Sequence, residues 1–322
     1  MRIAVVVPCF RTKAHVLGVI ENVGKEVEAI YVIDDACPEH TGEHVRAHCR
    51  DARVRVLVND ANLGVGGATM RGYRAALDDG MDILVKLDGD GQMDPSRIPD
   101  LVRPLLTGEA DYAKGNRFFS LEDLSEMPAL RLFGNSTLSL VNKVSSGYWD
   151  VMDPTNGFTA IHALVCRNLP LEKIANDFFF ESDMLFRLAT IRAVVVDVPM
   201  PATYGGEKSN LGVGRAAATF PGRHALRVLK RIFYSYFLRD FNAGTVQLVL
   251  GLLLLGFGAI FGALRWHQSI VTGVPATSGT IMLAALPVLL GGQLLVAALN
   301  YDITNVPRRP LHRQLSPRAE RR

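Results

Sequence analysis

The chain has 322 residues, 48% of them hydrophobic, and a formal net charge of +3. That charge is unevenly spread: residues 1–202 hold 21 Lys and Arg against 28 Asp and Glu, whereas residues 203–322 hold 14 against 4. An acidic half joined to a basic, apolar half excludes a nucleic-acid binder and predicts a folded head on a segment held at an anionic lipid surface.

The first apolar run, residues 3–7, ends at Pro8; it is too short for a signal peptide and reads as a strand. Further β-rich runs follow at 29–33, 54–58, 83–87, 111–113 and 194–198, with helical stretches between them. Strands alternating with helices predict an α/β fold, a mostly parallel sheet covered on both faces. Ligands of such sheets sit beyond the carboxyl ends of the strands, so the residues that close each run are the ones to inspect. The first run closes on Pro8-Cys9-Phe10-Arg11 and the second on Asp34-Asp35. The fourth closes on Asp88-Gly89-Asp90-Gly91-Gln92-Met93-Asp94, and Pro95 after Asp94 marks a helix start. Asp88, Asp90 and Gln92, separated by glycines that let the backbone turn, are candidate ligands for a hard divalent cation, Mg2+ or Mn2+. Asn62-Leu63-Gly64-Val65-Gly66-Gly67-Ala68 lacks the spacing of either phosphate-binding glycine motif and is expected to be a tight strand-to-helix connection. The four cysteines, Cys9, Cys37, Cys49 and Cys166, show no C-x-x-C spacing, so neither a zinc site nor a disulfide framework is expected.

Residues 245–264 and 280–299 are two twenty-residue runs without a charge. Twenty helical residues rise about 30 Å, the thickness of a bilayer's hydrocarbon core. Arg223, Arg227, Lys230, Arg231 and Arg239 precede the first run, and Arg308, Arg309, Arg313, Arg318, Arg321 and Arg322 follow the second. The excess of positive charge at both outer flanks predicts that the head lies in the cytoplasm. Between head and span, residues 220–240 mix these cations with Leu226, Leu229, Phe233 and Phe237, as in an interfacial helix or a packed connector. The organisation expected is a catalytic head over 1–218, an interfacial helix over 219–243, two spans within 244–300 and a basic tail over 301–322. Gly251, Gly256, Gly258 and Gly262 leave room for helix packing between subunits, hence a possible homo-oligomer.

In order and spacing these motifs resemble the family 2 glycosyltransferases with the GT-A fold, closest to the polyprenyl-phosphate, dolichyl-phosphate mannose synthase-like branch. Val6-Val7-Pro8-Cys9-Phe10 looks like the first-strand motif, and Asp34-Asp35 with Thr41 like D-D-x-S-x-D-x-T. Asn62-Leu63-Gly64 with Gly72 fits the N-x-G segment, and residues 88–95 look like D-x-D-x-Q-x-D-P. Gly115-Asn116-Arg117 resembles G-S-R, and residues 153–158 resemble D-x-x-S-G-F. The chain departs from the pattern at Phe10-Arg11, Cys37, Met93, Asn156 and Thr159. The resemblance implies that Pro8, Phe10 and Asp35 hold the nucleoside of a nucleotide-sugar donor, UDP- or GDP-linked. It gives Asp88, Asp90 and Gln92 to the metal and the diphosphate, and Arg117, Arg131, Asn135 and Ser136 to the phosphate of a polyprenyl acceptor. Asp153 would orient the sugar or assist the nucleophile, with Glu181, Asp183, Lys208 and Ser209 as weaker candidates. The reaction implied is a single displacement with inversion at the inner face of the cell membrane, supplying cell-envelope glycan or glycolipid synthesis. Two other readings remain open, a glycosyltransferase for another lipid or polysaccharide acceptor and a non-catalytic scaffold. The Q-x-x-R-W segment of processive polysaccharide synthases is absent, and the metal acids a scaffold would have lost are present.

Overall fold

The structure, a computed structural model, describes residues 1–119, 129–201 and 213–315, without the side chains of 129–133, 135 and 213–217. The chain divides into two units, Met1–Val228 with Pro307–Arg322, and Leu229–Val306.

The first unit is built on a seven-stranded sheet. Its strands are β1 (Ile3–Cys9), β2 (Val27–Asp34), β3 (Val54–Val58), β4 (Ile83–Lys86), β5 (Tyr112–Asn116), β6 (Thr159–His162) and β7 (Val195–Pro199). They lie in the order β3-β2-β1-β4-β6-β5-β7. Pairing is parallel except where β6 runs antiparallel between β4 and β5. All seven residues of β1 are buried, the continuous apolar run of a central parallel strand covered on both faces. Alternation still sorts its side chains. Ala4 and Val6 face Tyr73 and Met70 of α3 (Gly64–Asp78), while Val5 and Val7 face the layer of α1 (Val16–Glu21) and α4 (Ile98–Leu106). Gly72 lets α3 close on the sheet, since a methyl there would collide with Val6.

Two expectations change. β1 continues through Pro8 to Cys9, because its registered partners on β4 end at Val6 and a strand edge left unpaired tolerates a residue without an N–H. β6 is a strand the sequence did not announce, since four residues, Thr-Ala-Ile-His, are too short for any period to show.

The remaining helices of this unit are α2 (Thr41–His48), α5 (Ala129–Ser146), α6 (Ala163–Cys166), α7 (Phe180–Thr190) and most of α8 (Val213–Phe233). A last turn, α11 (His312–Leu315), is stitched to the sheet at Asp111. The fully buried Asp111 carboxylate accepts hydrogen bonds from the backbone N–H groups of Val194, Leu311 and His312, and its Oδ1 lies 2.7 Å from His312 Nδ1. These partners hold its carboxyl below the usual range although burial pushes the other way. Of the segment expected to be a basic tail, residues 307–315 belong to this unit.

The second unit holds α9 (Ala243–Thr272) and α10 (Ser278–Thr304), both long and apolar enough to cross a membrane. Both outrun the uncharged segments: α9 starts at a capping box between Asn242 and Thr245 and stops only at Gly273, whose φ of +64° ends the helix in the left-handed region. Glycines let the two helices approach closely at their seam. A methyl on Gly258 would meet Ala284 O at 2.7 Å, and one on Gly291 would meet Leu255 N at 2.6 Å. Gly251 and Gly262 also face α10, so three of the four glycines expected to serve an intersubunit contact are used inside the hairpin, and Gly256 alone meets open space. Near its ends, Arg231 makes a bidentate pair with Asp302 at 2.7 and 3.1 Å.

Candidate active site

The carboxyl ends of β1, β2 and β4 open into one cavity of about 440 Å³, lined among others by Pro8, Phe10, Asp35, Asp88, Asp90 and Phe178. Local chemistry shapes its walls. Asp34 turns the chain after β2, its two oxygens accepting from Cys37 N at 2.7 Å and Gly42 N at 2.6 Å. Asp35, 2% exposed, accepts from Asn59 Nδ2 at 2.6 Å, Leu63 N at 2.8 Å and Gly64 N at 2.8 Å. Gly64 sits at φ +78°, a conformation a side chain would strain. The Asn62–Ala68 stretch is thus the tight connection expected, braced by Asp35 on one side. On the other, Asn176 O accepts from Gly66 N at 2.8 Å and Gly67 N at 3.2 Å.

Of the acids that close β4, Asp88 and Asp90 line this cavity and Asp94 the smaller one beside it. Asp90 accepts from Gln92 N at 3.0 Å, and Asp94 caps the turn Pro95–Arg97 by accepting from Ser96 N at 2.9 Å. Among the described residues no group of three or more His, Cys, Asp or Glu side chains converges as a metal cage. Two carboxylates in one cavity suit Mg2+ or Mn2+, which keep several waters and take oxygens from substrate phosphates. Gln92 lines a smaller neighbouring cavity of about 60 Å³ with Arg117, Asn156, Phe158 and Met200.

In that second cavity Arg117 is gripped by Asp153: Nε lies 2.7 Å from Oδ2 and Nη2 3.1 Å from Oδ1. Asp153 is fully buried and also accepts from Thr155 Oγ1 at 3.3 Å. Both its oxygens are engaged, and the contact fixes the orientation of the guanidinium. An arginine fork fixed in this way is suited to a phosphate.

Beside the cavities lie two buried lysines, Lys86 and Lys114, that the sequence reading left out. Lys86, the last residue of β4, has its Nζ 2.8 Å from Asp88 Oδ1 and 3.8 Å from Glu181 Oε1. Lys114 of β5 is fully buried and donates to Asn156 O. Burial pushes the Glu181 carboxyl up and the Lys114 ammonium down, and raises the Asp197 carboxyl to about 6. The available signal was a lysine inside two otherwise apolar strands, since a charge in a fully buried strand must have a partner.

The other candidates are dispersed. Asp183 is fully buried and structural: it accepts from Ala175 N at 3.0 Å and Arg227 Nε at 2.7 Å, with Arg187 Nε 3.4 Å away. With His224 buried against Ser145 and Phe179, that contact makes the head-side part of α8 a packed connector. Ser136 is exposed on α5, the helix that also carries Arg131 and Asn135, whose side chains lie outside the described ones. Lys208 and Ser209 lie outside the described residues.

The family model of glycosyl transferase family 2 matches residues 4–169. The undecaprenyl-phosphate mannosyltransferase of Micrococcus luteus is 30% identical over 205 residues, 62% of this chain and 83% of that protein. The UDP-N-acetylglucosamine–dolichyl-phosphate N-acetylglucosaminyltransferase of Methanococcus voltae is 24% identical over 216 residues, 63% of this chain and 86% of that protein. Among solved structures, glucosyl-3-phosphoglycerate synthase from Mycobacterium tuberculosis, in complex with Mn2+, UDP-glucose and phosphoglyceric acid, superposes with a TM-score of 0.54. It is 20% identical and covers 71% of this chain and 79% of its own. The head therefore has the GT-A fold, and the chain, matched over more than half its length, is a glycosyltransferase that belongs to glycosyl transferase family 2.

Proposed function

We propose that the protein transfers a hexose, with inversion, from a UDP- or GDP-linked donor to a polyprenyl phosphate, at the cytoplasmic face of the cell membrane. The observation that carries this reading is the convergence of Pro8, Phe10, Asp35, Asp88 and Asp90 on one cavity, with Arg117 in the cavity beside it. The lipid-phosphate acceptors named for the Micrococcus and Methanococcus relatives favour a polyprenyl phosphate here.

A phosphate monoester carries roughly −1.5 to −2 charge at pH 7, so its oxygen is a ready nucleophile and no base is required. The demand on the protein is to hold two anions in line. Asp88 and Asp90 would hold the divalent cation, which neutralises the leaving nucleoside diphosphate; the Mn2+ bound with UDP-glucose in the mycobacterial synthase is in keeping with that. Pro8, Phe10 and the loop braced by Asp35 enclose the nucleoside. Arg117, kept in one orientation by Asp153, receives the acceptor phosphate.

The membrane assignment is supported by connectivity. The chain leaves the head unit before α9 and rejoins it at Pro307, so a hairpin of two spans returns to the side it left. The cations flanking both outer ends then favour the cytoplasmic side.

The test is incubation of the full chain in detergent with radiolabelled UDP- and GDP-sugars and polyprenyl phosphate. Label is expected in the lipid extract with at least one donor, and to disappear when divalent cations are chelated. Label released only to water, or no transfer from any donor, would sink the assignment.

A further inference from the structure

Lys86 has no part in the scheme above, yet it touches one of its central groups. It is 1% exposed, ends a strand buried at all four positions, and its Nζ stands 5.0 Å from the centre of the Phe180 ring. An ammonium enclosed in this way must stay beside an anion. It has two within reach, Asp88 Oδ1 at 2.8 Å and Glu181 Oε1 at 3.8 Å. Gly157 closes the pair from the other side, where a methyl would collide with both Lys86 Nζ and Asp88 Oδ2. The Asp88 carboxylate, at the wall of the cavity, is therefore held with one oxygen on the ammonium and the other against Gly157.

A divalent cation binds a carboxylate oxygen at about 2.1 Å. An ammonium already bound to that carboxylate competes for its lone pairs and repels the incoming charge. We infer that Lys86 is a positioning residue that alternates between two carboxylates: it sits on Asp88 before a divalent cation arrives and passes to Glu181 when Asp88 turns to the cation. The inference rests on the reading of Asp88 as a metal ligand. It gives Glu181, side chain 11% exposed, a task other than catalysis: it is the seat for the displaced ammonium. The difference between the two distances is about 1 Å, within reach of a rotamer adjustment that leaves the strand in place.

The experiment is a titration of the full chain in detergent with Mn2+ alone, following the signal of free Mn2+ by electron paramagnetic resonance. It compares wild type, Glu181→Gln, Lys86→Met and the double variant. Glu181→Gln removes the second seat, so the ammonium stays on Asp88 and Mn2+ binding should weaken by about tenfold. Lys86→Met removes the competitor and should bind Mn2+ at least as tightly as wild type. The double variant should return to within about threefold of wild type. A structural role for these residues would weaken binding in Lys86→Met or fail to rescue the double variant, and either result overturns the inference. So does wild-type binding by Glu181→Gln. Failure of the wild type itself to bind Mn2+ would remove the metal reading of Asp88, and the inference with it.

Discussion

The head and the hairpin solve opposite packing problems. In the head, apolar side chains fill two layers around the sheet, and the charged groups that enter that interior are partnered, several of them in ion pairs: Arg117 with Asp153, Arg227 with Asp183, Lys86 with Asp88, His312 with Asp111. In the hairpin, glycines at the seam let Leu295, Val288 and Ala284 of one helix approach the other closely, while Leu252, Leu253, Ile260, Leu289 and Val296 point outward. Water drives apolar side chains inward and makes every buried charge depend on its partner. Lipid gives leucine no reason to hide, so close backbone approach is what holds two helices together. The same substitution therefore has different meanings in the two units.

The largest effect expected is on a buried pair in the head. Asp183→Ala leaves Arg227 uncompensated and should cost about 3–5 kcal/mol, read as a drop in the thermal midpoint of the purified chain. If the midpoint stays put, the head is not held by its buried pairs. Next is a charge that faces a cavity. Asp90→Ala should lower transfer by about three orders of magnitude, roughly 4 kcal/mol of barrier, with the melting curve unchanged. A comparable loss of stability would mean that Asp90 belongs with the structural acids. In the hairpin, Gly291→Leu drives a side chain into Leu255 and Gly251 and should cost about 1–3 kcal/mol, whereas Gly256→Leu, which meets nothing, should be silent. Equal effects at the two glycines would undo the account of the seam. A smaller change is expected for Arg117→Lys, which keeps the charge but loses the fork: about a tenfold rise in KM for polyprenyl phosphate, with KM for the donor unmoved.

The smallest expected effect is on pH dependence. Burial, then the neighbouring Arg223 and Arg227, lower the His224 imidazole to about 4. A base held below its unfolded value of 6.5 contributes stability that is present above that pH. The contribution is lost as pH falls from 6.5 toward 4. His224→Phe should flatten the acid limb of the stability profile over that window, and an unchanged limb would assign the acid sensitivity elsewhere.

How much of this was legible in the chain depended on how local each feature is. β1, the acids that close β4 and the two spans are continuous runs, and composition alone reveals them. β6 is four residues long and takes its place from its neighbours, Lys86 opposite Thr159 on one side and Lys114 opposite it on the other. The partner of Asp111 lies two hundred residues away across the whole hairpin, a separation at which no pattern survives. Asp153 read as a candidate reactive acid because its motif was recognised; its engagement with Arg117 needed coordinates.

By itself the sequence determined which segments seek water, which seek lipid, and which strand ends carry carboxylates, because those are properties of side chains and their period along the chain. The tertiary structure decided which of those carboxylates remain open to a cavity. Asp88 and Asp90 line it, Asp88 with Lys86 at its back, whereas Asp153 and Asp183 are each drawn onto an arginine. The reason is that an ion buried in a low-dielectric interior takes its behaviour from the nearest opposite charge, and only the fold determines which charge that is.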